Sequence, residues 1–562
     1  MCGIFLSIAR NGPVLPDQQI VDALLARGPD SYKVLHVTCS TDNAQKIYLT
    51  FISSVLALRG EQIQTQPLFD EASGSVFCWN GEAWKAGGTK VSGNDSIYVW
   101  DLLLQATRAR RIDRDRRISE ALTSIAGPFA FVLYDAPTST VYYGRDRLGR
   151  RSLLVNQCDD GSLTLSSISA LHQNTECWEV ATDTVHSLSL KSANIVPGIL
   201  PWLKVPPAIN KNLLNGSPPA FPSASSIEGL LQHLRDALIL RSMDIPDHSH
   251  GQMQPDSAKV AILFSGGLDC SLLARLVHDI LPREEAVDLL NVAFENPRSM
   301  AAKVSSTGGA YELCPDRITG RSSFSEICQS CPERFWRFVA INVPYAEALA
   351  HKPSIISLMY PHNTEMDLSI AMALYFAARG KGEVSEHPYD VCSKAKSFVS
   401  NARVLLSGLG ADELYAGYSR HAVAFSREGF RGLADELGLD FDRIGSRNLG
   451  RDDRVMSHWG KEIRYPYLDE DFVRFSLSLP VWEKCGFRAG KSVPKHYEAL
   501  GTASKPEDLE PAKMLLRLAM WQLGMRRTAG ERKRAIQFGA RTAKMDVGKG
   551  RTKGTDILTS AG

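Results

Sequence analysis

Residues 259–271 constrain this chain more than any other stretch. Residues 259–264 form an apolar run that reads as a buried strand, and a helix-type run follows over residues 270–280. Between them stand Ser265, Gly266 and Gly267, with Asp269 and Ser271 just beyond. Glycines let the backbone come close to an anion, and successive N–H groups at a helix N-terminus then bind it. Ser-Gly-Gly-x-Asp-x-Ser after a buried strand is far more specific than a glycine pair in an ordinary turn. The same rhythm continues downstream. Residues 287–294 read as a second apolar strand, 367–378 as a helix, and 403–406 as a strand that runs into another glycine turn. Strand, turn and helix in alternation predict a parallel sheet.

The 562 residues exceed one ordinary core, so two domains are expected. The first 200 residues have a different texture. Residues 76–79, 128–134 and 141–143 read as short strands, and 95–106 as a helix with Ile97, Trp100, Leu103 and Leu104 on one face. Residues 206–226 are rich in Pro, Ser and Asn and read as a linker. The expected division is 2–205, a linker at 206–226, a second domain at 227–545, and a disordered basic tail at 546–562. There are no internal repeats. Apolar residues make up 44% and charged residues 22%, the balance of a soluble globular protein. A net charge of +2 gives no general pull towards nucleic acid or membrane, so neither is an expected partner. Eleven cysteines without a regular framework read as reduced thiols. No run of about 18 apolar residues spans a bilayer, and the N-terminus lacks the basic and apolar regions of a signal peptide. A cytosolic protein is expected.

Cys2 is a chemical signal of its own. Removal of the initiator Met would leave an α-amine beside a thiol, and an amine with a pKa of roughly 8 can accept the thiol proton near neutral pH. Arg27, Gly28, Pro29 and Asp30 follow, then Arg59, Asn80-Gly81-Glu82 and Asn94-Asp95. Acyl transfer from an amide needs oxyanion donors, which Asn80 and the Gly81 N–H can supply. A free amino acid needs clamps for its two charges, which Arg59 and Asp95 can supply. Singly, each of these residues would read as solvated surface.

Together and in this order, they resemble the class II glutamine amidotransferase domain of asparagine synthetases. The resemblance implies an N-terminal nucleophile hydrolase fold of four α/β/β/α layers, with Cys2 as nucleophile. It implies Asn80 and Gly81 as the oxyanion hole, and Arg59, Asn80, Gly81, Glu82 and Asp95 as the glutamine-binding set. Arg27 and Asp30 would support the site, and Gly144-Arg145-Asp146 would be a structural turn. One departure is Ala83-Trp84-Lys85, where that family usually continues with Ile-Tyr-Asn.

The glycine loop resembles the PP-loop of ATP pyrophosphatases, an α/β fold with a parallel sheet. A second turn, Ser407-Gly408-Leu409-Gly410-Ala411-Asp412-Glu413, is similar to the other ATP-site motif of asparagine synthetases. The resemblance implies Phe264, Ser265, Gly266, Gly267, Asp269, Ser271, Val292, Ser407 and Gly408 as the ATP-binding set. Asp269 and Asp412, hard oxygen donors beside phosphates, would bind Mg2+. Residues 462–469 resemble a further asparagine synthetase signature, and 316–321, 446–454 and 535–539 resemble the asparagine synthetase domain-containing protein 1 family.

Three departures bear on the reaction. Leu409 stands where asparagine synthetases usually place a Glu linked to proton transfer from ammonia. No Arg follows Asp367-Leu368-Ser369 before Arg379, and Ala535 aligns with a catalytic-type Lys, with Lys533 and Arg534 nearby. The expected function is glutamine hydrolysis at Cys2 and ATP-dependent amidation of a carboxylate, aspartate by resemblance. An amidotransferase on another acceptor, or a non-catalytic protein that keeps the fold, are the alternatives. Asparagine formation is expected to be slow or absent. Oligomeric state is left open, a homodimer included. Cys328 and Cys331 lack a second pair at metal spacing, and the basic C-terminal stretch reads as a solvated face or an anion contact.

Overall fold

Period-two alternation builds the first half. In the strand Gly3–Ala9, Ile4, Leu6 and Ile8 face one core while Phe5 faces another with Leu24. In Ser75–Gly81, Val76 and Cys78 face the first core, whereas Phe77 and Trp79 face a third. Phe129–Asp135 divides in the same way. Residues two apart share a face of a strand, so two stacked antiparallel sheets result, each of six strands. The helix Gln18–Arg27 covers one sheet; Asp95–Thr107 and Arg111–Ser124 cover the other. The layers are α/β/β/α. The computed structural model describes residues 2–157, 162–168, 176–192, 194–204, 207–212, 221–246, 257–298, 309–385, 395–487, 509–545 and 553–558.

The second half is an α/β unit around a seven-stranded sheet. The strands Trp336–Val343, Val287–Phe294, Val260–Leu263, Val404–Leu406 and Glu462–Arg464 lie side by side and parallel. Lys381–Val384 and Lys396–Val399 add an antiparallel edge that the alternation of strands and helices does not announce. Val260–Leu263 lies between a strand that follows it directly and one that comes more than a hundred residues later. The chain reverses its winding there, and the crevice at the carboxyl ends of such strands is where α/β sheets bind ligands.

Two stretches differ from the sequence reading. The helix Ala224–Ser242 begins inside the expected linker, because Ser223 caps it by accepting a bond from the Ser226 N–H. Residues 213–220 of that linker lie outside the described residues. In the tail expected to be disordered, residues 553–558 instead pair with the start of the helix Glu365–Arg379: the N–H groups of Glu365 and Met366 donate to Asp556 and Gly554. The rest of the tail lies outside the described residues. Among the described residues, no helix is long and apolar enough to cross a membrane.

Candidate active site

Cys2 stands at the mouth of the strand Gly3–Ala9, 8% exposed. Its backbone N–H donates to Asn80 Oδ1 at 3.0 Å, across from one sheet to the other. Asn80 is fully buried, and its Nδ2 has no hydrogen-bond partner. A buried donor left unpaired costs about 1–3 kcal/mol, and this one leaves a hydrogen bond to be made beside Cys2. Gly81 must be glycine: a Cβ there would meet Pro128 O at 2.5 Å and Phe129 Cβ at 2.6 Å. Burial pushes the Cys2 thiol up, while a backbone bond from Leu56 pulls it back.

One pocket gathers Cys2, Arg59, Gly81, Glu82 and Asp95. Asp95 opens the helix Asp95–Thr107, and its Oδ2 accepts from Trp79 Nε1 at 3.1 Å and from the Ala83 N–H at 2.9 Å. Burial raises its carboxyl despite Arg59. Arg59 donates to Val91 O at 2.6 Å and faces Glu82 Oε2 at 3.4 Å. Arg27 is wholly buried and its Nε donates to Cys2 O at 3.3 Å. Asp30 accepts from the Ala57 N–H at 2.7 Å. The pocket also contains Glu462, contributed by the other half of the chain. Sequence reading placed Glu462 only within a signature, since nothing local ties it to Cys2.

The second site lies at the crevice between Val260–Leu263 and Val404–Leu406. Gly266 has φ +79°, and a Cβ there would stand 2.5 Å from the backbone of Gly320. Gly267 caps the helix Leu268–Ile280, and its N–H donates to Ser265 Oγ at 3.3 Å. Ser271 Oγ and Asp269 Oδ1 are buried without hydrogen-bond partners. Gly408 is pressed against Asp269, where an added Cβ would come to 2.8 Å of the Asp269 Cβ. Ser407 Oγ accepts from the Leu409 N–H at 3.2 Å. Val292 is 7% exposed, but the Phe264 ring is 1% exposed and packs edge-on against Phe338. The Phe264 ring is therefore turned into the core, while its backbone N–H donates to Leu290 O and its carbonyl accepts from Asn291 Nδ2.

Asp269 and Asp412 meet over a lysine. Lys513 Nζ lies 2.6 Å from Asp269 Oδ2 and 2.6 Å from Asp412 Oδ1, and Lys533 pairs with Asp412 Oδ2. Against the cost of burial, the two lysines hold the Asp412 carboxyl well below its usual range. The sequence reading found no counterpart for the C-terminal lysine; the fold brings Lys533 to Asp412 although Ala535 takes the aligned position. It missed Lys513 altogether, because 244 residues separate it from Asp269. Two carboxylates beside a phosphate-type loop, one with an orphaned oxygen, suit Mg2+, which takes one or two carboxylates and completes its shell with phosphates.

The residues around the expected acceptor are committed elsewhere. Leu409 is half-buried against a hydrophobic core. Glu413 is buried and accepts from Tyr418 Oη at 2.6 Å. Asp367 accepts from Arg451 at 2.6 Å, and Arg379 pairs with Glu347 at 2.7 Å.

Comparison with known proteins gives the family. Residues 55–173 match the family model described as a glutamine amidotransferase domain, and residues 427–499 match that described as asparagine synthase. The chain is 31% identical to the asparagine synthetase domain-containing protein 1 of Bos taurus, over 97% of this chain and 95% of that one. A Saccharomyces cerevisiae asparagine synthetase domain-containing protein is also 31% identical, over 99% of both chains. A glutamine-hydrolysing asparagine synthetase of Brassica oleracea is 26% identical, over 74% of this chain and 60% of that protein. The chain belongs to the asparagine synthetase domain-containing protein 1 family, with a glutamine amidotransferase domain and an asparagine synthase domain in one polypeptide.

Proposed function

We propose that this chain is a glutamine-dependent amidotransferase that hydrolyses glutamine at Cys2 and uses ATP to amidate a carboxylate. The observation that carries it is the unpaired Asn80 Nδ2 beside Cys2. Once residue 1 is removed, the Cys2 nitrogen becomes an α-amine, and Asn80 Oδ1 holds that atom. The amine takes the thiol proton as Sγ attacks the glutamine side-chain carbonyl. Asn80 Nδ2 and the Gly81 N–H receive the oxyanion. The C–N bond breaks, the amine returns its proton to the leaving nitrogen, and ammonia departs. Water then cleaves the thioester to glutamate. Arg59 and Asp95 hold the substrate carboxylate and amine, with Glu82 beside them.

At the second site, Ser265, Gly266, Gly267, Ser271, Ser407 and Gly408 would cradle ATP, with Val292 beside the adenine. Asp269 and Asp412 would hold Mg2+, which supplies charge neutralisation between phosphate oxygens. The acceptor carboxylate attacks the α-phosphate and pyrophosphate leaves; ammonia then displaces AMP from the acyl group and loses one proton. Lys513 and Lys533 would follow the phosphate charge. The domain limits we assign are 2–205 for the first and, with the helix Ala224–Ser242 and the paired residues 553–558 included, 223–558 for the second, and the compartment is the cytosol.

On this reading asparagine formation from aspartate is slow or absent. Leu409 cannot accept a proton from ammonia, Glu413 is bonded to Tyr418, and Asp367 is paired with Arg451. Losing a general base costs about 10²- to 10⁴-fold. The test is one incubation of the full chain with labelled glutamine, ATP-Mg2+ and aspartate, measuring glutamate, pyrophosphate and asparagine separately. Glutamate release that Cys2→Ala abolishes, with little asparagine, is expected. Glutamate release unchanged in Cys2→Ala would overturn the glutaminase reading, and asparagine turnover of roughly 1 s⁻¹ or more would overturn the acceptor reading.

A further inference from the structure

Trp84, which departs from the usual amidotransferase sequence, lies where the two halves meet. Its ring is 3% exposed and has three guanidinium groups around it: Arg464 at 4.8 Å, Arg59 at 5.5 Å and Arg241 at 5.5 Å from the ring centre. Arg59 belongs to the glutamine pocket; the other two come from the second half. Arg464 is 2% exposed and all three of its nitrogens are engaged. Nη2 donates to Glu82 Oε1 at 3.0 Å, Nε to Glu462 Oε1 at 2.6 Å, and Nη1 to Arg241 O at 2.7 Å. The other oxygen of Glu82 faces Arg59. Glu82 and Glu462 both line the pocket that holds Cys2.

The same residue touches the nucleotide loops through its backbone. Arg464 O accepts from the Ser407 N–H at 3.0 Å, and Tyr467, three residues on, donates to Asp269 O at 3.1 Å. A buried guanidinium with every nitrogen bonded has a single orientation, so its side chain moves only with its backbone. A shift of the Ser407 loop therefore moves the Arg464 fork, and with it the carboxylate that Arg59 leans on. Burial and the neighbouring Glu462 charge raise the Glu82 carboxyl, whereas Arg464 and Arg151 hold Glu462 down against the cost of burial. The network thus carries charge that cannot rearrange without consequence.

We propose that Arg464 is a positioning residue for the glutamine pocket, and that the Trp84-centred arginine cluster couples nucleotide occupancy at Ser407 to glutamine affinity at Arg59. This rests on the glutaminase reading of the Cys2 pocket. Coupling between two sites is reciprocal in their binding free energies. Trp84 fills the space between the clamp and the fork, and its ring attracts all three guanidinium groups and keeps them in register.

The test uses the full chain and reads glutamate release against glutamine concentration, with and without ATP-Mg2+. In the parent, ATP should change the KM for glutamine by at least about fivefold, the lower end of ordinary coupling. Arg464→Lys keeps the charge but loses the fork. Its KM should rise about tenfold, the equivalent of one charge-assisted hydrogen bond, with kcat nearly unchanged and the ATP response lost. Trp84→Phe, which keeps an aromatic ring in the space, should retain part of the response, and Trp84→Leu none. A parent KM and a parent ATP response in both Arg464→Lys and Trp84→Leu would overturn the proposal. So would a parent whose KM ignores ATP, or a loss of kcat alone in Arg464→Lys, which marks an interaction made only in the transition state. A parent that releases no glutamate at all would instead overturn the glutaminase reading beneath it.

Discussion

Lys513 does with one ammonium what two separate cations would otherwise have to do. It is 3% exposed, adopts φ +57° just before the helix Met514–Gln522, and bridges Asp269 to Asp412. A non-glycine residue in the left-handed region costs about 1–3 kcal/mol, and here the ion pairs offset it. Gly417 leaves room for the arrangement: a Cβ there would meet Asp412 Oδ1 at 1.9 Å and Lys513 Cε at 2.4 Å. Lys513→Met takes away one buried charge and leaves two carboxylates with Lys533 alone. Removing one partner of a buried pair typically costs 3–5 kcal/mol, so the variant should melt well below the parent. If Asp269 and Asp412 bind Mg2+, the ion should restore the variant more than it raises the parent, because a ligand stabilises the state that binds it. Equal Mg2+ shifts in melting temperature for variant and parent would count against those two carboxylates as metal ligands.

At the scale of elements, sequence reading went furthest where apolar runs are long and their period is clear. The strand Val287–Phe294 coincides with its expected range, and Asp95–Thr107 and Leu268–Ile280 lie within two residues of theirs. The antiparallel edge was not legible, since Lys381–Val384 and Lys396–Val399 are polar and half-exposed. Glu462 and Lys513 were illegible for another reason: their partners are distant in sequence, and a lone charge reads as solvated surface. The glycine loop was legible because its motif is local, although the backbone that crowds Gly266 comes from Gly320. Gly266→Ala tests that constraint. The new Cβ would stand 2.5 Å from the Gly320 backbone at a φ of +79°, so either the loop or the helix Pro315–Ser330 must move. Strain and overpacking together should destabilise the fold by about 2–4 kcal/mol, and ATP affinity should fall with it. Calorimetry that found parent affinity for ATP in Gly266→Ala would show that this backbone approach does not shape the nucleotide loop.

The whole molecule is held together by buried arginines that reach from one half into carboxylates and carbonyls of the other. Arg27 donates to Asp453 at 2.9 Å and Ser457 at 2.5 Å; Arg150 reaches Leu468 O and Glu470; Arg151 reaches Glu462 and Ile463 O. In the opposite direction, Arg454 pairs with Glu179 and donates to Ser152 Oγ at 2.8 Å. Glycines in residues 445–454 permit this closeness: a Cβ on Gly450 would fall 1.9 Å from Glu179 Oε1, and one on Gly445 2.6 Å from Leu148 O. Such pairs fix the docking geometry more than they stabilise it, because each ion loses its water. Losing one partner is a different matter. Glu179 sits between Arg454 and Arg145, and although burial opposes it, the two guanidinium groups bring its carboxyl down from 4.5 to about 2. A folded-state pKa below the unfolded one means stability that is present above about pH 4.5 and lost as pH falls through about 2. That shift corresponds to about 3 kcal/mol. Glu179→Gln should therefore lose roughly that much stability at pH 7, where both arginines stay charged and unpaired. Its stability should then fall less steeply than the parent's as pH drops from 4.5 towards 2. Denaturant unfolding of both proteins across that window gives the comparison, and equal acid slopes would remove Glu179 from the interface that holds the halves together.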